Sequence, residues 1–158
     1  LALEGMPAFY IHSLFATRND HKKLEATSNK RSINRHNWDY DELVELIDDK
    51  FSMNYQVFSQ LSKLISIRKR QRAFHPNATQ FTLHFAEDLF SFWRQSQDRA
   101  QSIFCIYNVT DEVQQFALKD VNLIELDSWH DLVSGYAYTD PREDVALEPY
   151  SFVWITNK

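Results

Sequence analysis

The side chains with the greatest capacity for chemistry lie in two short runs near the start of the chain. Arg18-Asn19-Asp20 is followed by Arg31-Ser32-Ile33-Asn34-Arg35-His36. Arginine is a rigid, permanently charged fork of donors, and beside Asn and Asp such forks bind hydroxyls, carboxylates or phosphate. A solvated loop uses the same residue types, and on the residues alone that reading is slightly favoured over a site. Metal chemistry finds less support. Six histidines (His12, His21, His36, His75, His84, His130) make no HExxH pattern, and the lone Cys105 has no second thiolate to share an ion. Cys105 lies in an apolar run and reads as a small core residue. Neither GxGxxG nor GxxxxGK[ST] occurs, and only Gly5 and Gly135 are glycine, against an average of about 7%. Dinucleotide and phosphate loops are therefore disfavoured, and no cofactor or metal is expected.

Residues 63–72 hold five basic side chains. Nucleic-acid binding wants such a patch, ideally with aromatics between the charges. The run falls in the last turns of an expected helix, however, where cations suit the dipole, and it reads as a solvated face. No nucleic-acid partner is expected. Asn77-Ala78-Thr79 and Asn108-Val109-Thr110 match the glycosylation sequon, a frequent chance pattern.

The elements that would position these residues change character near Pro76. Residues 1–75 carry 12 basic and 9 acidic side chains; residues 76–158 carry 5 and 13. In the first part, the aromatic run Pro7 to Ile11 predicts one buried strand. Residues 16–37 have neither helical nor strand periodicity and read as a long loop, a class usually functional. Asp39 can cap a helix whose apolar face is Leu43, Leu46 and Ile47, with Glu42 completing a capping-box-like pair. Val57, Phe58, Leu61, Leu64 and Ile65 predict a second helix over about 55–74, which Pro76 stops by forcing His75 to be extended.

The second part alternates with period two. Phe81, Leu83 and Phe85 share one face of a strand; 89–94 and 102–107 follow, the latter apolar enough to be central. Weaker strands are expected at 113–118 and 122–126, and a last one at 150–155. Short strands at this spacing predict an antiparallel sandwich or barrel.

Composition bounds the rest. With 158 residues, 44% hydrophobic and 15% aromatic, the chain is too apolar for disorder, and one cysteine excludes a disulfide framework. No apolar run approaches the roughly 20 residues of a membrane span. Leu1 to Gly5 carry a Glu where a secretory signal would be basic. The expectation is a cytoplasmic protein with no membrane partner. Leu1-Ala2-Leu3-Glu4 lacks an initiator Met, which fits either a cut through a longer protein or a processed end.

Several phrases resemble a known family in order and spacing. Gly5-Met6-Pro7-Ala8-Phe9-Tyr10 (G-x-P-x-x-Y), Arg18-Asn19-Asp20 and Arg31-Ser32-Ile33-Asn34-Arg35-His36 are similar to the end of the catalytic barrel of sucrose-phosphorylase-like enzymes. These belong to the α-amylase superfamily, glycoside hydrolase family 13. Ala73-Phe74-His75-Pro76 resembles the junction to that family's C-terminal β-domain, and Tyr107-Asn108-Val109-Thr110 resembles a turn within it. Where the family commonly has Gly before the basic-Asn-Asp element, this chain has Ala16-Thr17.

The resemblance implies an α+β fragment. Residues 1–75 would be the last strand and helices of a TIM-type (β/α)8 barrel, and 76–158 an all-β C-terminal sandwich. It also implies a retaining mechanism whose carboxylate nucleophile and acid/base lie on earlier strands, leaving no catalytic residue here and an inactive fragment. The eighth βα loop would contribute to the substrate pocket. Arg35 would contact the glucosyl hydroxyls, with Arg31, Asn34 and Asp20 behind it; the alternative the resemblance leaves open is an Arg35 that itself stands behind the contact, held by Asp20. The implied partners of the whole enzyme are an α-glucoside and phosphate; pairing of an exposed strand edge raises a homodimer as a further expectation. A hydrolase or transglucosidase of the same superfamily, and a stand-alone β-sandwich binding or structural module, are the competing readings.

Overall fold

The computed structural model describes residues 1–84, 86–121 and 129–158. They form two compact units, Pro7–Ser66 and a second made of Leu1–Met6 with Ile67–Lys158. The expected strand at 122–126, and Phe85, lie outside the described residues.

The Pro7–Ser66 unit contains helices α1 (Ile11–Leu14), α2 (His21–Thr27), α3 (Tyr40–Asp48) and most of α4 (Met53–Lys69), with a 3₁₀ turn at Lys30–Asn34. The strand expected at Pro7–Ile11 is absent. Tyr10 does keep extended backbone, φ −73° and ψ 131°, but its carbonyl accepts from the N–H groups of Ser13 and Leu14 and opens a helical turn. An extended segment satisfies its backbone only beside a partner strand, and among the described residues this one has none.

The long loop expected at 16–37 is also corrected, because it contains α2 and the 3₁₀ turn. Both are made by capping rather than by an apolar stripe, so periodicity could not reveal them. Asp20 accepts from the Lys23 N–H at the start of α2, Ser28 ends it in the left-handed region, and Asn29 accepts from the Arg31 N–H. The Asp39 cap is present: its Oδ1 accepts from the N–H groups of Asp41 and Glu42 at 3.0 and 3.2 Å. Replacing Asp39 with Ala removes both bonds, and a lost N-cap costs about 1 kcal/mol. Amide hydrogen exchange in the first turn of α3 should then quicken about fivefold; unchanged exchange would show the cap contributes nothing.

No apolar side chain between residues 7 and 66 is buried; Ser32 is the one buried residue of that stretch. Leu43, Leu46 and Ile47 are half-buried, and Phe51 is 93% exposed.

The second unit is a mostly antiparallel β-structure with a true core. Its strands are β1 (Thr79–Leu83), β2 (Leu89–Gln95), β3 (Ser102–Asn108), β4 (Gln114–Ala117), β5 (His130–Asp131), β6 (Asp144–Leu147) and β7 (Phe152–Thr156). β1-β2-β3-β7-β5 form one antiparallel sheet and β4-β6 another. The central position of β3 is as its composition demands, since Ile103, Phe104, Cys105 and Ile106 are buried on both faces. β5 and β6 were not foreseen. Two to four residues are too few to establish alternation, and their pairing partners are remote in sequence.

Register separates the two faces of the larger sheet. Leu89, Phe104, Ile106 and Ile155 meet Phe116, Leu118, Val145 and Leu147 from the β4-β6 side in one apolar cluster, which includes Trp129 and Tyr138. The opposite face carries Phe92, Arg94, Cys105 and Trp154. There Phe74 packs edge-on against Trp154, 5.0 Å between ring centroids. Cys105 is fully buried, and desolvation pushes its thiol far above the usual range. His75, with ψ 143°, is extended before Pro76 as the sequence requires.

Two arginines on this side are buried against main-chain carbonyls, and for Arg68 this departs from the sequence reading. Arg68, placed by sequence on a solvated helix face, is 8% exposed; its guanidinium donates to the Leu1 carbonyl and, at 3.1 Å, to that of Gly5. Arg94 is fully buried and donates to the carbonyls of Ala2 and His75, each at 2.9 Å, and Ala78 at 3.3 Å. Asn108 is buried too, its amide donating to the carbonyls of Glu112, Leu147 and Glu148 at 2.6, 3.1 and 3.0 Å. That geometry makes it a turn-fixing residue rather than a glycan acceptor. No described helix is long and apolar enough to cross a membrane.

Candidate functional site

The polar runs that open the sequence fold into one small assembly inside the Pro7–Ser66 unit. Its first tie is at Tyr10, whose hydroxyl donates to the Asn34 carbonyl at 2.7 Å and whose ring meets His12 edge-on. A second tie centres on Thr17. Its hydroxyl lies 3.2 Å from His12 Nδ1 and accepts from Trp38 Nε1 at 2.9 Å. Trp38 in turn packs edge-on against His36, 4.7 Å between centroids. Ala16 reaches this arrangement with φ 49°, the left-handed region that glycine enters freely and an L side chain enters at a cost of about 1 kcal/mol.

The third tie is α2 itself. Asp20 accepts from the Lys23 N–H at 2.8 Å through Oδ1, and its Oδ2 lies 3.0 Å from His36 Nδ1. The Lys23 amide first, and then the His36 ring, hold the Asp20 carboxyl below the usual carboxylate range. Asp20 is thus a carboxylate at neutral pH and no proton donor. The Asp20 N–H donates to Ile33 at 2.6 Å, and Lys23 Nζ donates to the Arg35 carbonyl at 2.6 Å and to Asn37 Oδ1 at 3.0 Å.

Of the residues singled out by sequence, the structure brings Asp20, Asn34 and Arg35 into this assembly, though in different parts. Asp20 engages His36 and not the Arg35 guanidinium. Arg35 is exposed, its backbone bonded on both sides and its guanidinium bonded to nothing among the described residues. Arg31 is exposed, its N–H donates to Asn29 Oδ1, and its guanidinium has no bond among the described residues. Asn34 lines an open pocket of about 280 Å³ with Tyr10, His12 and Arg18. A larger open pocket of about 730 Å³ lies against Arg18, Asp20, His36, Trp38, Glu42 and Asp49. Arg18 borders both; Arg35 borders neither. Sequence reasoning missed Thr17, Lys23 and Trp38. Their residue types are ordinary, and only contacts 5 to 21 positions apart give them a role. Among the described residues no group of three His, Cys, Asp or Glu side chains could hold a metal ion.

What this assembly can do is present guanidinium and amide donors on a backbone fixed from several directions. That suits recognition of a polyhydroxylated or anionic ligand.

No protein-family model matches the chain. Curated proteins do match it along its length. It is 31% identical over 164 residues to the glucosylglycerate phosphorylase of Spirochaeta thermophila, covering 99% of this chain and 28% of that protein. It is 35% identical over 155 residues to the glucosylglycerate phosphorylase of Allomeiothermus silvanus, covering 98% and 25%. Along nearly its whole length the chain is similar to glucosylglycerate phosphorylases. The chain spans about a quarter of the length of the curated proteins it matches. Its fold agrees. A crystal structure of AmyP in complex with maltose superposes with a TM-score of 0.57 at 13% identity, over 78% of this chain and 28% of that one. The phosphorylases that match are named for glucosylglycerate, so the sequence-based emphasis on sucrose gives way to glycoside phosphorylases in general.

Proposed function

We propose that these 158 residues are the C-terminal part of a retaining α-glucoside phosphorylase acting on glucosylglycerate or a close analogue. The observation that carries this reading is the match of 98–99% of the chain to a quarter of two glucosylglycerate phosphorylases. Residues 1–75 are read as the end of a (β/α)8 barrel and 76–158 as its C-terminal β-sandwich. The lack of any buried apolar side chain between residues 7 and 66 supports the first assignment. A barrel's last βα unit buries its apolar face against strands and helices contributed by the rest of the barrel.

In the reaction proposed for the parent protein, a carboxylate attacks the anomeric carbon as the bond to the acceptor oxygen breaks, and an acid protonates that oxygen. A phosphate oxygen then attacks the same carbon, displaces the carboxylate and gives glucose 1-phosphate. The chain supplies neither carboxylate in this scheme. Arg35 is the proposed contact to the glucosyl hydroxyls, its free, always-charged fork suited to two hydrogen bonds at once. Asn34 and Arg31 stand behind it. Arg18, which borders both pockets, is the proposed partner for the carboxylate of the acceptor.

The parent protein should release glucose 1-phosphate from glucosylglycerate and phosphate, and the 158-residue chain should release none. Phosphate-independent release of glucose by the parent would replace this reading with a hydrolase. Turnover by the isolated chain would overturn the assignment as a fragment.

A further inference from the structure

The bonds around Arg35 assign a task to α2 that the loop's sequence does not display. In one turn of chain, Asp20 and Lys23 make four bonds to residues 33–37. The Asp20 N–H reaches the Ile33 carbonyl, the Asp20 carboxylate meets the His36 ring, and Lys23 Nζ bonds both the Arg35 carbonyl and Asn37 Oδ1. Arg35 itself caps the 3₁₀ turn through its N–H to Ser32, with φ −127° and ψ 53°, outside the regular helical and strand regions. The backbone on both sides of Arg35 is therefore held by α2, while its side chain has no bond of its own.

We propose that Asp20 and Lys23 are positioning residues, which hold the main chain of 33–37 so that the Arg35 guanidinium is presented in one direction. Asp20 then acts through the main chain and His36, not through the Arg35 guanidinium. The carboxylate is already engaged by an amide and a ring nitrogen, whereas the Arg35 guanidinium has no bond among the described residues and sits on a main chain bonded through both its N–H and its carbonyl. The Lys23 bond is the one to remove, because its ammonium is the only side-chain donor on the Arg35 carbonyl among the described residues. The proposal rests on reading Arg35 as a contact to the glucosyl group.

The test is a double-mutant cycle in the parent enzyme. Lys23→Met should lower kcat/KM about three- to tenfold, the range expected for one hydrogen bond to a backbone carbonyl, and the loss should fall on the same parameter, kcat or KM, as that of Arg35→Ala. In an Arg35→Ala background the same change should have an effect of less than about twofold, since a positioning residue has nothing left to orient. Lys23→Arg, which keeps a charged donor, should restore most of the activity. Equal effects in both backgrounds, or wild-type kinetics for Lys23→Met, overturn the proposal while leaving the phosphorylase reading intact. A parent protein with no phosphorolysis defeats that reading instead. Amide exchange over residues 33–37 then decides the clamp: faster exchange in Lys23→Met supports it, and unchanged exchange overturns it.

Discussion

Replacing Arg94 with Met is expected to destabilise the β-rich unit by about 3 kcal/mol, one of the largest single-residue effects in this chain. The guanidinium is fully buried and serves three main-chain carbonyls, those of Ala2, His75 and Ala78. Leaving a buried acceptor without a donor costs about 1–3 kcal/mol each. Against that stands relief from burying a cation. Desolvation, and then the neighbouring Arg68, lower the affinity of Arg94 for its proton, and no carboxylate bonds it. Its Nε is a further buried donor without a partner. Three lost acceptors outweigh the relief, so the net effect is destabilising. Urea unfolding of the chain, followed through the buried tryptophan Trp154, measures it. A midpoint equal to wild type would mean that the buried charge and its carbonyls cancel.

In the parent phosphorylase proposed above, Arg35→Ala is expected to lower kcat/KM by about tenfold or more. A charged hydrogen bond contributes roughly 1.5–3 kcal/mol, and an arginine fork bonded to hydroxyls of the transferred sugar acts in the transition state as well as in the ground state. The structural basis is the contrast between its two halves. Its main chain is bonded through the N–H and the carbonyl, whereas the guanidinium is exposed and unbonded among the described residues. Its truncation therefore leaves the fold intact, and a change in rate reports on substrate. Wild-type kinetics in Arg35→Ala would remove this residue from the site.

Much of the β-rich unit was legible from residue order. Strands at 89–95, 102–108 and 152–156 advertise themselves through apolar density and alternation, because a strand in the middle of a sheet must bury side chains whatever it pairs with. The Asp39 cap and the extended His75 before Pro76 are equally local, each depending on backbone atoms within three residues. The same logic explains the failures. Pro7 to Ile11 has the composition of a strand, but strand structure needs a neighbour to bond. α2 and the 3₁₀ turn lack apolar periodicity and exist through caps at Asp20 and Asn29.

The candidate site was half legible. The runs at 18–20 and 31–36 drew attention because arginine next to Asn and Asp is dense in donors. Which of them bonds which was beyond reach. Asp20 has Arg18, Arg31 and Arg35 nearby in sequence, yet its side-chain partner is His36. Lys23 looks like any surface lysine until its ammonium is found on the Arg35 carbonyl.

By itself, then, the sequence determined the elements whose causes are local: the main strands, the Asp39 cap, the extended His75 before Pro76 (the helix expected to run to 74 ends at Lys69), and the phrases that resemble the phosphorylases. Only the tertiary structure decided the roles of the charged side chains. Arg94 bonds Ala2 across 92 residues, and Lys23 bonds Arg35 across 12. An ionic side chain is stable in solvent or against any suitably placed acceptor, so its residue type fixes its capacity but not its partner.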